Sequence, residues 1–149
     1  MIGGTVDALI GPSARWLAVG TEFDPEFTAP RAARAFLRTV FSVWGCDDED
    51  EVAAVLISEV VTNAIRHTAG KVTLRITLAG DVVRVEASDG APGPLRALPL
   101  DVTADGGRGL FLVEMLARDW GAVDDDYGGK IVWFEVPVHR TAAGRVPAR

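Results

Sequence analysis

The segment that most constrains this 149-residue chain is VAAVLISEVVTNAIRH, residues 52–67. Wound at about 100° per residue, it places Val52, Val55 and Leu56 on one side and Ala54, Ile57, Val61 and Ile65 on the other. Only a narrow strip through Glu51, Ser58, Thr62 and Arg66 is polar. A helix that is apolar almost all round must be packed over most of its circumference, so the fold has to wrap it. Yet Glu59, Asn63 and His67, four residues apart, line up on the face of Val52, Val55 and Leu56. Burying a polar group without a partner costs about 1–3 kcal/mol, and a charge more. Something polar is therefore expected opposite this stripe: a buried network, a metal, or a cavity that takes a ligand. Magnesium suits these residue types, because it prefers oxygen ligands and keeps several waters. The Asn63 amide oxygen could be one ligand, and Glu59, one turn earlier, could orient or deprotonate a nucleophile. The alternative is that both side chains only hydrogen-bond along a helix edge. His67 reads as a helix C-terminal residue favoured by the dipole, with a ligand role as its alternative.

Around this helix the pattern is α+β. Residues 15–23 alternate as a strand with Trp16, Ala18 and Gly20 on one face. Pro30 suits the first turn of a helix that runs to about Trp44 and is ended by Gly45. The acidic cluster at 47–51 marks the start of the central helix, and Gly70 closes it. Residues 72–78 and 82–88 alternate as two strands about the hairpin signal Ala79-Gly80-Asp81. Residues 89–107 break the pattern and form a long loop, which in a compact domain is usually functional. A glycine-opened helix over 108–119 follows, then strands near 122–124 and 131–138 around a polar turn. Hairpins and grouped helices predict a two-layer α/β sandwich with the helices on one face of a mixed sheet. The folded unit is read as residues 15–140. Residues 1–14, with Gly3, Gly4, Gly11 and Pro12, are expected to be a flexible N-terminus, and 141–149 a flexible C-terminal tail.

Composition removes several function classes. A 48% hydrophobic content supports a real core, while the net charge of -6 gives no electrostatic footprint for nucleic acid. No apolar run approaches the roughly 20 residues of a membrane span. A single cysteine, Cys46, excludes an internal disulfide and fits a reducing compartment, so a cytoplasmic protein is expected.

Two glycine-bearing segments extend the site. Asp89-Gly90-Ala91-Pro92-Gly93 directly follows a strand. An ionised Asp89 accepts hydrogen bonds only, so its natural partner is a donor such as an exocyclic amine; the same five residues also read as an ordinary turn. Gly106-Gly107-Arg108-Gly109-Leu110 opens a helix, where backbone N–H groups and the helix dipole favour phosphate. Arg108 is either a phosphate contact or a solvated charge. The segment is neither a P-loop nor a dinucleotide fingerprint.

The order of these features resembles the ATPase superfamily of histidine kinases, DNA gyrase B and the MutL repair proteins. The likeness is nearest to the small single-domain branch, the anti-sigma factor serine kinases. Ile57-Ser58-Glu59-Val60-Val61-Thr62-Asn63-Ala64-Ile65-Arg66-His67 resembles that branch's N-box. Asp89 to Gly93 resembles the first glycine box, and Gly107-Arg108-Gly109-Leu110, running on to Val113, the second. The resemblance implies the left-handed α/β sandwich of the Bergerat type, with ATP and magnesium as cofactors. It implies Glu59 as general base, Asn63 as magnesium ligand, and Asp89 at the adenine amine. His67, Gly93, Gly107, Arg108, Gly109 and Leu110 complete the implied nucleotide-binding set, and residues 94–105 would be the ATP lid. The implied activity is phosphorylation of a serine or threonine on an anti-anti-sigma-like protein, with a sigma factor as a further partner. The implied alternative is a non-catalytic ATP-binding regulator that sequesters such a partner. A homodimer is compatible with either. Two positions depart from the family pattern: Ala91 stands where a glycine is usual, and the late-strand threonine has no match around Lys130.

Overall fold

Period-two alternation builds one layer of the molecule and 3.6-residue periodicity the other. The computed structural model describes residues 7–10, 16–66, 68, 70–89, 107–124 and 129–141. Its elements are β1 (Asp7–Ile10), β2 (Trp16–Phe23), α1 (Ala29–Trp44), β3 (Cys46–Asp47), a short 3-10 turn (Glu49–Glu51), α2 (Val52–Arg66), β4 (Val72–Ala79), β5 (Val82–Ser88), α3 (Gly107–Leu116), β6 (Asp119–Asp124), β7 (Lys130–Pro137) and β8 (His139–Arg140).

Six strands form one sheet in the order β1-β2-β4-β5-β7-β6. Val72, Leu74, Ile76 and Leu78 of β4, Val83, Val85 and Ala87 of β5, and Val132, Phe134 and Val136 of β7 are all buried on its helix-bearing side. Against them lie Leu56, Ile57, Val60 and Val61 of α2, each fully buried. At about 1.5–3 kcal/mol for each large apolar side chain, this contact is the main source of stability. The two-layer sandwich follows.

Its sheet is not mixed: every described pairing in it is antiparallel. The connections explain why. The helices α1 and α2 together carry the chain away from β2 and back, so β4 returns antiparallel beside it. The helix α3 carries the chain from β5 over β7, so β6 runs parallel to β5 without touching it.

Two local expectations are corrected, the end of α3 and the loose N-terminus, and two details are added. Trp16, Ala18 and Gly20 share one face of β2 as expected, and the helix-facing side is the other, Leu17, Val19, Thr21 and Phe23; Phe23 meets Phe36 edge to face at 6.5 Å. The helix α3 stops at Leu116, and Asp119 already belongs to a strand. Part of the N-terminus read as loose, Asp7–Ile10, pairs with β2 as an edge strand. The chain also continues past β7 into a two-residue ladder in which Cys46 pairs with Arg140 and Asp47 with His139. The residues of the expected tail beyond Thr141 lie outside the described residues.

Capping follows the residue types. Gly45 takes the left-handed conformation (φ 67°) that ends α1. The acidic cluster acts through Asp48, whose two carboxylate oxygens accept the Ala53 and Ala54 N–H groups at 2.9 Å each. Asp50 and Glu51, in between, are held at φ 57° and 54°, a strained arrangement for residues with a Cβ.

Two outcomes test this architecture. On the open face of the sheet, Arg84 lies 4.0 Å over the Trp133 ring and pairs with Glu86 and Glu135 at 3.2 Å each. Gly121 of the neighbouring strand sits against the same ring, where an added Cβ would fall 2.8 Å from the indole Nε1. Gly121→Ala should therefore displace the ring and cost about 1–3 kcal/mol in denaturant unfolding. In a Trp133→Ala background that cost should vanish.

The second outcome concerns pH. His139 Nε2 lies 2.6 Å from Glu49 Oε2, and the hydrogen bond and charge of Glu49 raise the imidazole pKa. A raised folded-state pKa stabilises the fold below the ordinary histidine value, and the gain is lost as pH rises through the raised value. The thermal midpoint should fall over that window, and Glu49→Gln should remove that part of the pH dependence.

Candidate functional site

The topology gathers one set of ends. Phe23 pairs with Val72, Thr73 with Ser88, Ser88 with Ile131, and Lys130 with Asp124. The end of β5 and the starts of β4 and β7 therefore share one edge of the sandwich. The helix α2 ends beside them, because a short link joins Arg66 to Val72. The helix α3 packs on α2 and ends two residues before Asp119, which pairs with Glu135 at the other end of the sheet, so its first turn lies back toward this edge.

Among the described residues only Thr21, Asn63 and Asp89 are polar and buried. Asn63 is 5% exposed and Asp89 1%. Asp89 continues the parity of Val83, Val85 and Ala87, which turns its side chain toward the helix layer. Its N–H donates to the Lys130 carbonyl at 3.2 Å, and its Oδ1 accepts the Lys130 N–H at 3.2 Å. The Lys130 ammonium stands 3.8 Å from Oδ2. The carboxylate thus closes the β5–β7 ladder and also puts a buried negative charge at the sheet edge. Local sequence patterns do not mark Lys130 as a site residue. It lies 41 positions from Asp89, and a lysine opening a strand carries no signal of its own.

On α2 the polar stripe is less packed than its periodicity suggests. Val55 is 40% exposed, and Val52 and Glu59 are half-buried, while the packed face is centred on Ala53, Ile57, Val60 and Ala64. The sheet and the neighbouring helices cover that sector and leave Val55 outside it. Glu59 therefore lies at the margin of the buried face and Asn63, one turn on, just inside it. The expected polar strip is also partly occupied: Arg34 of α1 donates to Ser58 Oγ at 2.7 Å, and that hydroxyl donates to the Ala54 carbonyl at 2.9 Å.

Gly107, Arg108, Gly109 and Leu110 form the first turn of α3. His67, Gly93 and the proposed lid at 94–105 lie outside the described residues. Cys46, at the opposite end of the sandwich, is buried, and burial pushes its thiol pKa up, away from reactivity.

The donor set decides what the site can hold. No group of three His, Cys, Asp or Glu side chains able to cage a metal occurs among the described residues. A magnesium ion bound mainly through phosphate oxygens and water, with one protein oxygen, asks for no such cage. The neutral amide of Asn63 fits that role. Backbone N–H groups at the start of α3 fit phosphate, and a buried carboxylate fits an amine donor.

Among the described residues no helix is long and apolar enough to cross a membrane. No curated protein matches the chain at a significant level. The family model described as a histidine kinase-like ATPase domain matches residues 23–136, from the end of β2 almost to the end of β7. The match takes in Glu59, Asn63, Asp89 and the glycine-opened helix, and a domain of this kind implies ATP as its nucleotide. The match covers most of the 149 residues, and the chain belongs to the histidine kinase-like ATPase domain family.

Proposed function

We propose that this protein is a cytoplasmic, magnesium- and ATP-dependent kinase that phosphorylates a serine or threonine of a small regulatory partner of the anti-anti-sigma kind, with a sigma factor as a second partner. The observation that carries this reading is the pairing of a half-buried carboxylate, Glu59, with a buried carboxamide, Asn63, one helical turn apart, at the edge that also holds the buried Asp89 and the start of α3. Phosphoryl transfer leaves little covalent chemistry to the protein and depends on positioning and electrostatics. Bound ATP with magnesium would supply the phosphoryl group and neutralise its charge. Asn63 would offer one oxygen to the metal, the N–H groups opening α3 would face the phosphates, and Asp89 would accept from the base. Glu59 would take the proton of the partner's hydroxyl as its oxygen attacks the terminal phosphorus and ADP leaves.

The test is direct: purified protein, magnesium, labelled ATP and candidate partners encoded beside it. Label on a partner serine or threonine supports the kinase reading. A protein that binds both ATP and its cognate partner yet leaves that partner unlabelled is a sequestering regulator instead. Asn63→Ala should abolish magnesium-dependent nucleotide binding in titration calorimetry with only a modest loss of stability. Normal ATP binding by that variant would make Asn63 structural. Glu59→Ala should keep ATP affinity while slowing transfer by about 10²–10⁴-fold, the usual contribution of a general base. An unchanged transfer rate would remove Glu59 from the role of base and leave the reaction class standing.

A further inference from the structure

Asp89 does not face its ligand alone. Lys130 has the parity of Val132, Phe134 and Val136, so its side chain and that of Asp89 lie on the same helix-facing side of adjacent strands. The two side chains are only 13% and 2% exposed. A lysine this covered is held by charge, and the buried carboxylate 3.8 Å away provides it. That separation is an ion pair but too long for a hydrogen bond, so the contact does not consume the three N–H donors of the ammonium. On the other carboxylate oxygen, the backbone N–H of the same Lys130 fixes the orientation of Asp89. The result is an oriented acceptor beside an ammonium whose donors meet no hydrogen-bond acceptor among the described residues, both shielded from water.

The geometry points to Lys130 as a second base-reading residue: Asp89 accepts from an exocyclic amine while the Lys130 ammonium donates to the unprotonated ring nitrogen next to it. Adenine presents that edge, with its N6 amine beside N1. The assignment rests on the ATP reading above and adds a specificity determinant to it.

The test compares ATP with 1-deaza-ATP, which keeps the amine and replaces N1 by a C–H. Calorimetry on the wild-type protein should show 1-deaza-ATP binding weaker by on the order of tenfold or more, the value of one hydrogen bond from a charged donor. Lys130→Met should bind the two nucleotides alike, and Lys130→Arg, which keeps a charged donor, should restore part of the discrimination. Equal affinity of the wild-type protein for the two nucleotides overturns the assignment with ATP binding intact, and this comparison needs no variant to fold. Discrimination that persists unchanged in a folded Lys130→Met variant also overturns it. Failure of the wild-type protein to bind ATP at all overturns the nucleotide reading and this inference together.

Discussion

Everything in this molecule depends on the burial of α2 between the sheet and the two other helices. Leu56, Ile57, Val60 and Val61 are fully buried, and so are the strand residues beneath them, Leu74, Ile76, Val83, Val85 and Phe134. Interiors of this kind are close-packed, so the helix can neither slide nor rotate without opening cavities. A rotation large enough to bring Val55 inward would move Val60 or Ala64 out and exchange a packed methyl-lined face for a half-polar one. The side chains at the margin of that face are thereby held in place by their apolar neighbours. Glu59 and Asn63 take their places at that margin from the packing of Leu56 and Val60 beside them.

The sheet edge follows a second constraint, electrostatic this time. A buried carboxylate is tolerated only with compensation, and Asp89 receives it from one residue twice, through the Lys130 backbone N–H and through its ammonium. Both partners come from the ladder between β5 and β7, whose register is set by the buried pairs Val85 with Phe134 and Ala87 with Val132. A slip of one residue would turn these apolar side chains to the open face and carry Asp89 and Lys130 with them. The same packing therefore specifies the core and the polar pair at its edge.

Much of this was legible in the chain. The strands β4 and β5 alternate strictly about Gly80, and α1 has a proline in its first turn and a glycine at its end, so their periods and punctuation point one way. What escaped was non-local or short. The strands β1, β3 and β8 contain two to four residues, too few for any period, and exist only because a partner strand lies beside them. The boundary between α3 and β6 is ambiguous in the sequence because Asp119-Trp120-Gly121 fits a helix end as well as a strand start; in the fold Gly121 lies in the strand, against Trp133. A helical wheel placed Glu59 and Asn63 on one stripe but could not say which sector the neighbouring elements would leave open. Lys130 illustrates the limit at the site. Its meaning comes from a ladder register, which no local window contains.

The far end of the sandwich bears on the site through the stiffness of α2. Asp48 grips the first N–H groups of that helix with both carboxylate oxygens, and Asp48 itself follows directly on the ladder between Cys46–Asp47 and His139–Arg140. The Thr141 N–H closes the same region on the Gly45 carbonyl at 2.7 Å. The first turn of α2 is thus tied both to the end of α1 and to the chain leaving β7. From Val52 to Asn63 the helix rises about 1.5 Å per residue, so the anchor and the carboxamide are on the order of 16 Å apart along a single rigid element. Asp50 and Glu51 carry the strain of this anchorage, in left-handed conformations that the Asp48 bonds and the adjoining ladder enforce. The strained pair thus sits at the anchored end of the helix whose later turns carry Glu59 and Asn63.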